Sequence, residues 1–363
     1  MISYVLPTRN RHDTLALTLR ELEALPRHDA QLIIVDNASD TPVTAPQSLP
    51  NGVSVSVIQL RDNQGTGARN VGVSLALQRA GSHDHWIVML DDDSSPISLD
   101  FLPVLQTAAR DEAVIAAEVL LSDTPDGRVR HEAGGLPEVF IGCGAAIRAE
   151  AWNAVGGYDL AFDYYAEEYD FSARLLRAGL RVRYDRRFLV RHRKVSEGRD
   201  MNRIIGNLVR NNAWVMARYA PTHLRDELVQ HQIDRYAAIA RKENALPGYT
   251  RGLDQLRSTL TNQPHTPLDA EQWNRFIGYT AAHETLSLAA PTSGSVAIVD
   301  AGKNVEVITQ AARDIGMQLT DDSTLAQTLL IGTLSPGPML DAHAARKKSP
   351  LRVLMPWTMC STD

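Results

Sequence analysis

The stretch HWIVMLDDDSSP, residues 85–96, carries an apolar run directly into Asp91, Asp92 and Asp93. The run is short and has no polar face, so it reads as a strand buried on both sides. Three adjacent carboxylates repel one another. At about 5 Å and an effective dielectric near 20, each neighbouring pair costs roughly 3 kcal/mol if fully ionised. A cluster pinned to a core strand points to a cation at that strand end, with an acidic solvated turn as the plain alternative.

Toward the N-terminus the pattern repeats. Ile2–Leu6 is a short apolar strand followed by the turn Pro7-Thr8-Arg9-Asn10, and a helix is expected over about Thr14–Leu25, with leucines at helical spacing. QLIIVDNAS is a second buried strand ending in Asp36, and VSVSVIQL is a third, leading to Asp62 and Asn63. A Gly-rich turn from Gly65 enters a helix reaching about Ala80. Strands that alternate with helices indicate an α/β sheet, whose ligands sit at the carboxyl ends of the strands. Thr8, Asp36, Asn63 and Asp91–Asp93 all fall at such ends.

Toward the C-terminus come a helix near Phe101–Ala109, a strand near Ala113–Leu120 and a turn at Asp123–Gly127. YYAEEYDFSARLLRAGL predicts a helix with Phe171, Leu175 and Leu176 inward and Gly179 as its stop, and RVRYDRRFLVRH a strand. Residues 200–290 read as helical, with breaks at Pro221, Pro247-Gly248 and Pro264 to Pro267. PTSGS at 291–295 resembles a linker, beyond which SVAIVDAGKN, TLLIGTL and LRVLMPW form a second, smaller α/β unit. VDAGKN lacks the GxGxxG spacing of a dinucleotide site, so a packing, acceptor-binding or partner-binding module is the expectation there.

A net charge of -6 over 363 residues gives no reason to expect nucleic acid as a partner. No apolar run approaches the roughly 20 residues that span a bilayer, and MISYVLPTRNRHD enters a strand without a signal-peptide pattern. Cys143 and Cys360 make neither a disulfide framework nor a metal-ligand spacing. The expected place is the cytoplasm, including a peripheral position at the inner face of the membrane. The composition leaves room for a homo-oligomer.

Three further stretches carry chemistry. In RDNQGTGARN, residues 61–70, Gly65 and Gly67 allow close backbone approach to a ligand ahead of a helix, and Arg69 suits phosphate. The spacing is not that of a P-loop. In AEEYD, residues 166–170, Glu167, Glu168 and Asp170 crowd into one turn. Crowded carboxylates raise one another's proton affinity, as a general base near neutral pH requires, although acidic residues are also welcome at any helix start. His192 ends a strand among arginines; it is a surface residue or a further ligand for a cation held by Asp93.

Taken together, these stretches resemble the family 2 glycosyltransferases of GT-A fold, a Rossmann-like α/β mixed sheet. The resemblance runs from residue 2 to about 220 through VLPTRNRHDTL, LIIVDNASDT, LRDNQGTGARNVG, the DxD-like VMLDDDSSP, VGGYDLAFDYYAEEYDFSARLLRAG, LVRH and LVRNNAWVMARYAP. It implies a GT-A domain over 1–220; the residues beyond it read as a helical extension over 221–290 and a small C-terminal α/β, Rossmann-like domain over 291–363. The resemblance implies that Pro7, Thr8, Arg9, Asp36, Asn63, Gly65, Arg69, Asp91 and Asp92 bind the nucleotide-sugar. Asp93 and His192 would hold a divalent cation, Mn2+ or Mg2+. Glu168 would be the catalytic base, with Glu167 and Asp170 flanking it or structuring the helix, and Trp152, Gly157 and Tyr158 would shape the sugar pocket. The second acid is Glu where many relatives have Asp, so Glu167 and Glu168 both stay open as the base.

The activity implied is inverting transfer from a UDP- or dTDP-type sugar to a hydroxyl of a glycan, lipid-linked or small-molecule acceptor, as in polysaccharide biosynthesis. A non-catalytic scaffold or binding module of the same fold is the alternative, and a phosphohydrolase using a strand-end aspartate is a third reading.

Overall fold

The computed structural model describes residues 1–79, 85–122, 129–194 and 200–360. The turn expected at Asp123–Gly127 and the helix end at Ala80 lie outside those residues. The first sheet is built from β1 (Ile2–Thr8), β2 (Ala30–Asp36), β3 (Ser54–Gln59), β4 (Trp86–Met89), β5 (Ser94–Pro96), β6 (Glu112–Leu121), β7 (Arg130–His131), β8 (Ala145–Arg148) and β9 (Arg181–His192). Its order is β3-β2-β1-β4-β8-β6-β9-β5, with β7 added on β6. The four apolar runs of the N-terminal part pair in parallel; β1, β2 and β4 have buried centres, while β3, at the edge, is half-buried. Beyond β4 the sheet becomes mixed, because β8 runs antiparallel to both β4 and β6. Strand β1 extends through Thr8, two residues further than expected, since Pro7 and Thr8 stay in register with Val35 and Asp36.

Helices α1 (His12–Glu23), α2 (Gly67–Arg79), α3 (Phe101–Thr107), α4 (Ala149–Val155), α5 (Glu167–Arg177) and α6 (Met201–Tyr219) accompany this sheet. The orientation of α5 follows from its apolar stripe: Phe171, Leu175 and Leu176 are fully buried, each worth roughly 1.5–3 kcal/mol. That stripe fixes where the acidic first turn points.

Four helices follow: α7 (Arg225–Lys242), α8 (Leu246–Thr259), α9 (Ala270–Ile277) and α10 (Tyr279–Ala289). The expected break at Pro247-Gly248 falls inside the first turn of α8, where proline sacrifices no hydrogen bond. A second sheet comprises β10 (Ser295–Val299), β11 (Gln318–Leu319), β12 (Thr328–Ile331) and β13 (Arg352–Leu354), with α11 (Val305–Asp314) and α12 (Pro336–Ala345). It is all parallel, in the order β11-β10-β12-β13. The stretch expected to be a linker is a packed connection. Ser293 is buried, its hydroxyl donates to Ala289 O at 2.7 Å, and its carbonyl accepts from Thr328 Oγ1 at 2.6 Å.

One hydrophobic cluster runs from Val5 and Ile87 of the first sheet through Phe171 and Phe276 to Val296, Ile308 and Leu330 of the second unit. The smaller unit is therefore packed onto the larger one.

Candidate active site

The end of β4 answers the repulsion of its carboxylates with three cations. Arg69, in the first turn of α2, pairs with Asp91 and donates to Leu90 O at 2.9 Å. Arg11, just ahead of α1, donates to Asp92 Oδ1 at 2.5 Å and to Asp93 Oδ2 at 2.8 Å. His192 Nε2 lies 3.2 Å from Asp93 Oδ1. Topology makes that last meeting: the chain turns after Asp93 into β5, which pairs antiparallel with β9 so that Ser94 stands opposite His192. Thr8, at the end of β1, donates to Asp92 Oδ2 at 2.8 Å.

These neighbours separate the acids. Burial pushes the Asp92 carboxyl up to about 7, with Asp93 and Asp91 adding to it and Arg11 and Thr8 pulling the other way. Burial also acts to raise Asp93, but His192 and Arg11 outweigh it and hold Asp93 well below the usual carboxylate range. Burial opposes charge on His192; contacts with Cys143, Asp93 and Glu132 prevail and raise its pKa. Glu132 accepts from Nδ1 at 2.9 Å, fixing the imidazole from behind.

The donor set suits a divalent cation. Ligand atoms of Asp91, Cys143 and His192 lie within 4.8 Å of one another, and Asp93 adjoins them. Carboxylate oxygens with one imidazole match a manganese- or magnesium-type ion. Burial pushes the Cys143 thiol up, and its soft sulfur is a poor ligand for a hard ion. Arg11 covers one oxygen of Asp93, and its side chain is 31% exposed.

The neighbouring loops form one rim. Asp36 accepts from the Ser39 and Val43 amides, both at 2.9 Å, and thereby braces its own loop. Burial works against ionisation of Asp36, but those hydrogen bonds win and lower its pKa. Pro7, the last residue but one of β1, stands opposite Val35, and Arg9 is exposed, with Nε donating to Ala38 O at 3.2 Å. Asn63 Oδ1 accepts from Gly65 N–H at 3.0 Å. Gly65 has φ +58°, and a Cβ there would meet Asp163 Oδ1 at 2.3 Å, so this position requires glycine.

The acidic turn of α5 approaches from the other side. Glu167 is buried, and among the described residues its Oε2 has no hydrogen-bond partner. Burial raises Glu167 well above the usual range, and the charge of Glu168 raises it further. Burial raises Glu168 as well, opposed by its own amide, by Arg69 and by the Gly142 N–H. A Cβ on Gly142 would lie 2.4 Å from Glu168 Oε1, so the backbone there is placed to hold that carboxylate. Arg69 links the two halves: it is salt-bridged to Asp91, and its charge acts on both glutamates.

Asp170 takes another part. It is 1% exposed and accepts from Arg174 Nε at 2.9 Å, Arg218 Nη1 at 2.9 Å and Tyr219 Oη at 2.7 Å. It ties α5 to α6. Trp152 and Tyr158 are also buried, their rings 5.0 Å apart, with Gly157 against the indole. They pack beneath α5.

The glycosyl transferase family 2 model matches residues 3–153, and the glycosyl transferase family group 2 model matches residues 104–240. Residues 3–240 are thus matched, between the two, by models of the family 2 glycosyltransferases. The chain's fold is a mixed α/β sheet with helices, to which a small parallel sheet is added. Among solved structures, the mannosyltransferase PcManGT from Pyrobaculum calidifontis in complex with GDP-Man and Mn2+ is 16% identical, over 80% of this chain and 81% of that one, with a TM-score of 0.43. S. aureus TarS 1-349 in complex with UDP-GlcNAc is 14% identical, over 87% of this chain and 92% of that one, with a TM-score of 0.46. Likeness at this level transfers no residue role. No curated protein matches the chain.

Sequence reading of this glycosyltransferase missed four residues that build its site. Arg11 was passed over for Arg9, its neighbour but one, while Glu132 and Cys143 lie far from His192 in sequence. The fourth is Asn211 of α6, whose amide donates to the carbonyls of Phe162, Tyr164 and Tyr165 at 2.7–2.8 Å. That clamp holds Tyr165 and Ala166 at φ of 73° and 67° on entry to α5. The only signal for it was the pair of asparagines in LVRNNAWV. No helix of the described residues is long and apolar enough to cross a membrane.

Proposed function

We propose that this glycosyltransferase moves a sugar from a nucleoside diphosphate donor of UDP or dTDP type to an acceptor hydroxyl, with inversion and with the help of a divalent cation. The observation that carries the reading is the convergence of Glu168, Arg69 and Asp91–Asp93, in which Arg69 pairs with Asp91 while its charge, like that of Asp91, reaches Glu168.

Glu168 is the base. It is less buried than Glu167 and has N–H support for its ionised form, whereas burial and the charge of Glu168 both raise the proton affinity of Glu167. Glu168 takes the proton of the acceptor hydroxyl as that oxygen bonds to the anomeric carbon. The bond from carbon to the diphosphate oxygen breaks on the opposite face, and its electron pair leaves with the diphosphate. A cation held by Asp91, Asp93 and His192 would supply positive charge for that leaving group. Arg69 adds a fixed cation at the same rim. Thr8, Arg9, Asp36 and Asn63 border the space for base and ribose.

A thermal-shift series of nucleotide-sugars, with and without manganese, tests this. A true donor at about 100 times its dissociation constant adds about 2.7 kcal/mol of stability. A UDP- or dTDP-sugar is expected to give that shift with metal and much less in Asp93→Asn. If no nucleotide-sugar stabilises the protein or is slowly hydrolysed by it, the proposal fails.

A further inference from the structure

The SVAIVDAGKN and TLLIGTLSPG stretches meet at a place the transfer reading leaves unused. In the second sheet the chain leaves β10 toward β11 on one side, and β12 lies on the other. The carboxyl ends of β10 and β12 thus flank a topological switch point, where open α/β sheets bind ligands. A cavity of about 380 Å³ opens there. Its lining includes Arg235 of α7, Asp300, Lys303, Thr333, Ser335 and Gly134. That volume lies in the range of small-molecule sites, roughly 300–1,000 Å³.

The lining is cationic. Asp300 is already neutralised by Arg346. Arg235 pairs with no carboxylate among the described residues and stacks only on Tyr236, at 5.8 Å. Lys303 lies two residues before α11, whose positive helix end adds to the field. Thr333 Oγ1 accepts from Ser335 N–H at 3.3 Å and keeps its own hydrogen to donate. Burial pushes the Lys303 ammonium down to about 8 even with Glu168 nearby, so an anion in the cavity would favour its charged form.

The cavity also communicates with the candidate active site. Lys303 Nζ hydrogen-bonds Tyr169 Oη and lies 4.5 Å from the centre of that ring, and Tyr169 follows Glu168 on α5. On the opposite wall, Gly134 N–H and O bond to Ser335 Oγ at 3.1 and 2.6 Å, two residues from the Glu132 that holds His192.

We propose that this cleft, built by Arg235, Lys303 and Thr333 and joined through Lys303 to the helix of Glu168, binds a phosphate-bearing part of the acceptor. The assignment to the acceptor rests on the transfer reading above. The anion site itself does not.

Calorimetric titration of the full chain in EDTA, with inorganic phosphate and with sn-glycerol 3-phosphate as probes, tests the proposal. Saturable binding at one site is expected, tighter for glycerol 3-phosphate. Arg235→Ala and Lys303→Met should each weaken it by at least about tenfold, the effect of one charged hydrogen bond, and Asp93→Asn should leave it unchanged. Thr333→Val, a change of one hydroxyl, should weaken it less and guards against misfolding of the charge variants. Three results would overturn the proposal: no saturable binding, binding lost in Asp93→Asn but kept in Arg235→Ala, or inorganic phosphate binding as tightly as the ester, which would mark a free-anion site. The nucleotide-sugar shifts are measured on the same preparation, so a failed transfer reading and a failed cleft appear separately.

Discussion

Glu168→Gln is expected to lower the transfer rate by about 10²- to 10⁴-fold, the usual worth of a general base, with donor affinity unchanged. The amide keeps the shape of the carboxylate and an oxygen to accept from Gly142 N–H, but it cannot take a proton. Glu167→Gln should cost far less, because burial and the neighbouring Glu168 favour the protonated form of Glu167, which the amide imitates. The pH dependence follows from the same directions. The base must be ionised, and its folded-state pKa is raised, so the acid limb of the rate profile should lie above the ordinary glutamate range, near 4.3. Activity then rises with pH through that limb. Single-turnover rates across pH for the two variants check this. Full activity in Glu168→Gln together with loss in Glu167→Gln would move the base by one residue.

Asp170→Ala should be the most destabilising single change in the site region, by about 3–5 kcal/mol, the cost of stripping one partner from a buried ion pair. The aspartate is shared by Arg174, Arg218 and Tyr219, and Arg218 also pairs with Asp159 at 2.7 Å. Removing it leaves two guanidinium groups and a phenol facing a void between α5 and α6. Asp170→Asn keeps the volume and part of the hydrogen bonding and should lose less. Urea unfolding midpoints measure the difference. A loss within about 0.5 kcal/mol, typical of surface positions, would show that the knot does not hold the catalytic helix.

These two expectations show what a sequence can and cannot disclose. The strands before Asp36 and Asp91 and the helix of Glu168 were legible because burial imposes periodicity: continuous apolar runs for two-sided strands, and Phe171 with Leu175 for one helix face. The same logic placed the acids at the strand ends. What it could not supply was pairing through space. Nothing in RNR tells which arginine turns toward Asp92 and Asp93; that was decided by α1 starting at His12, which leaves Arg11 at its mouth. The grip of Glu132 on His192 and of Asn211 on the loop before α5 spans 46 to 60 residues and leaves no local pattern. Asp170 looked like its acidic neighbours in sequence, and only its contacts set it apart. The C-terminal unit was recognisable as α/β, but its hold on Tyr169 through Lys303 belongs to tertiary packing alone.

The most direct test is a crystal of the protein grown with manganese and a nucleoside diphosphate, read by anomalous scattering. A manganese peak is expected at ligand distance from Asp93 and His192, with Arg11 turned away from Asp93 and the diphosphate on the side of the metal facing Arg69. An absent peak with Arg11 still bridging Asp92 and Asp93 would contradict this, and would mean that the carboxylates exist to hold an arginine.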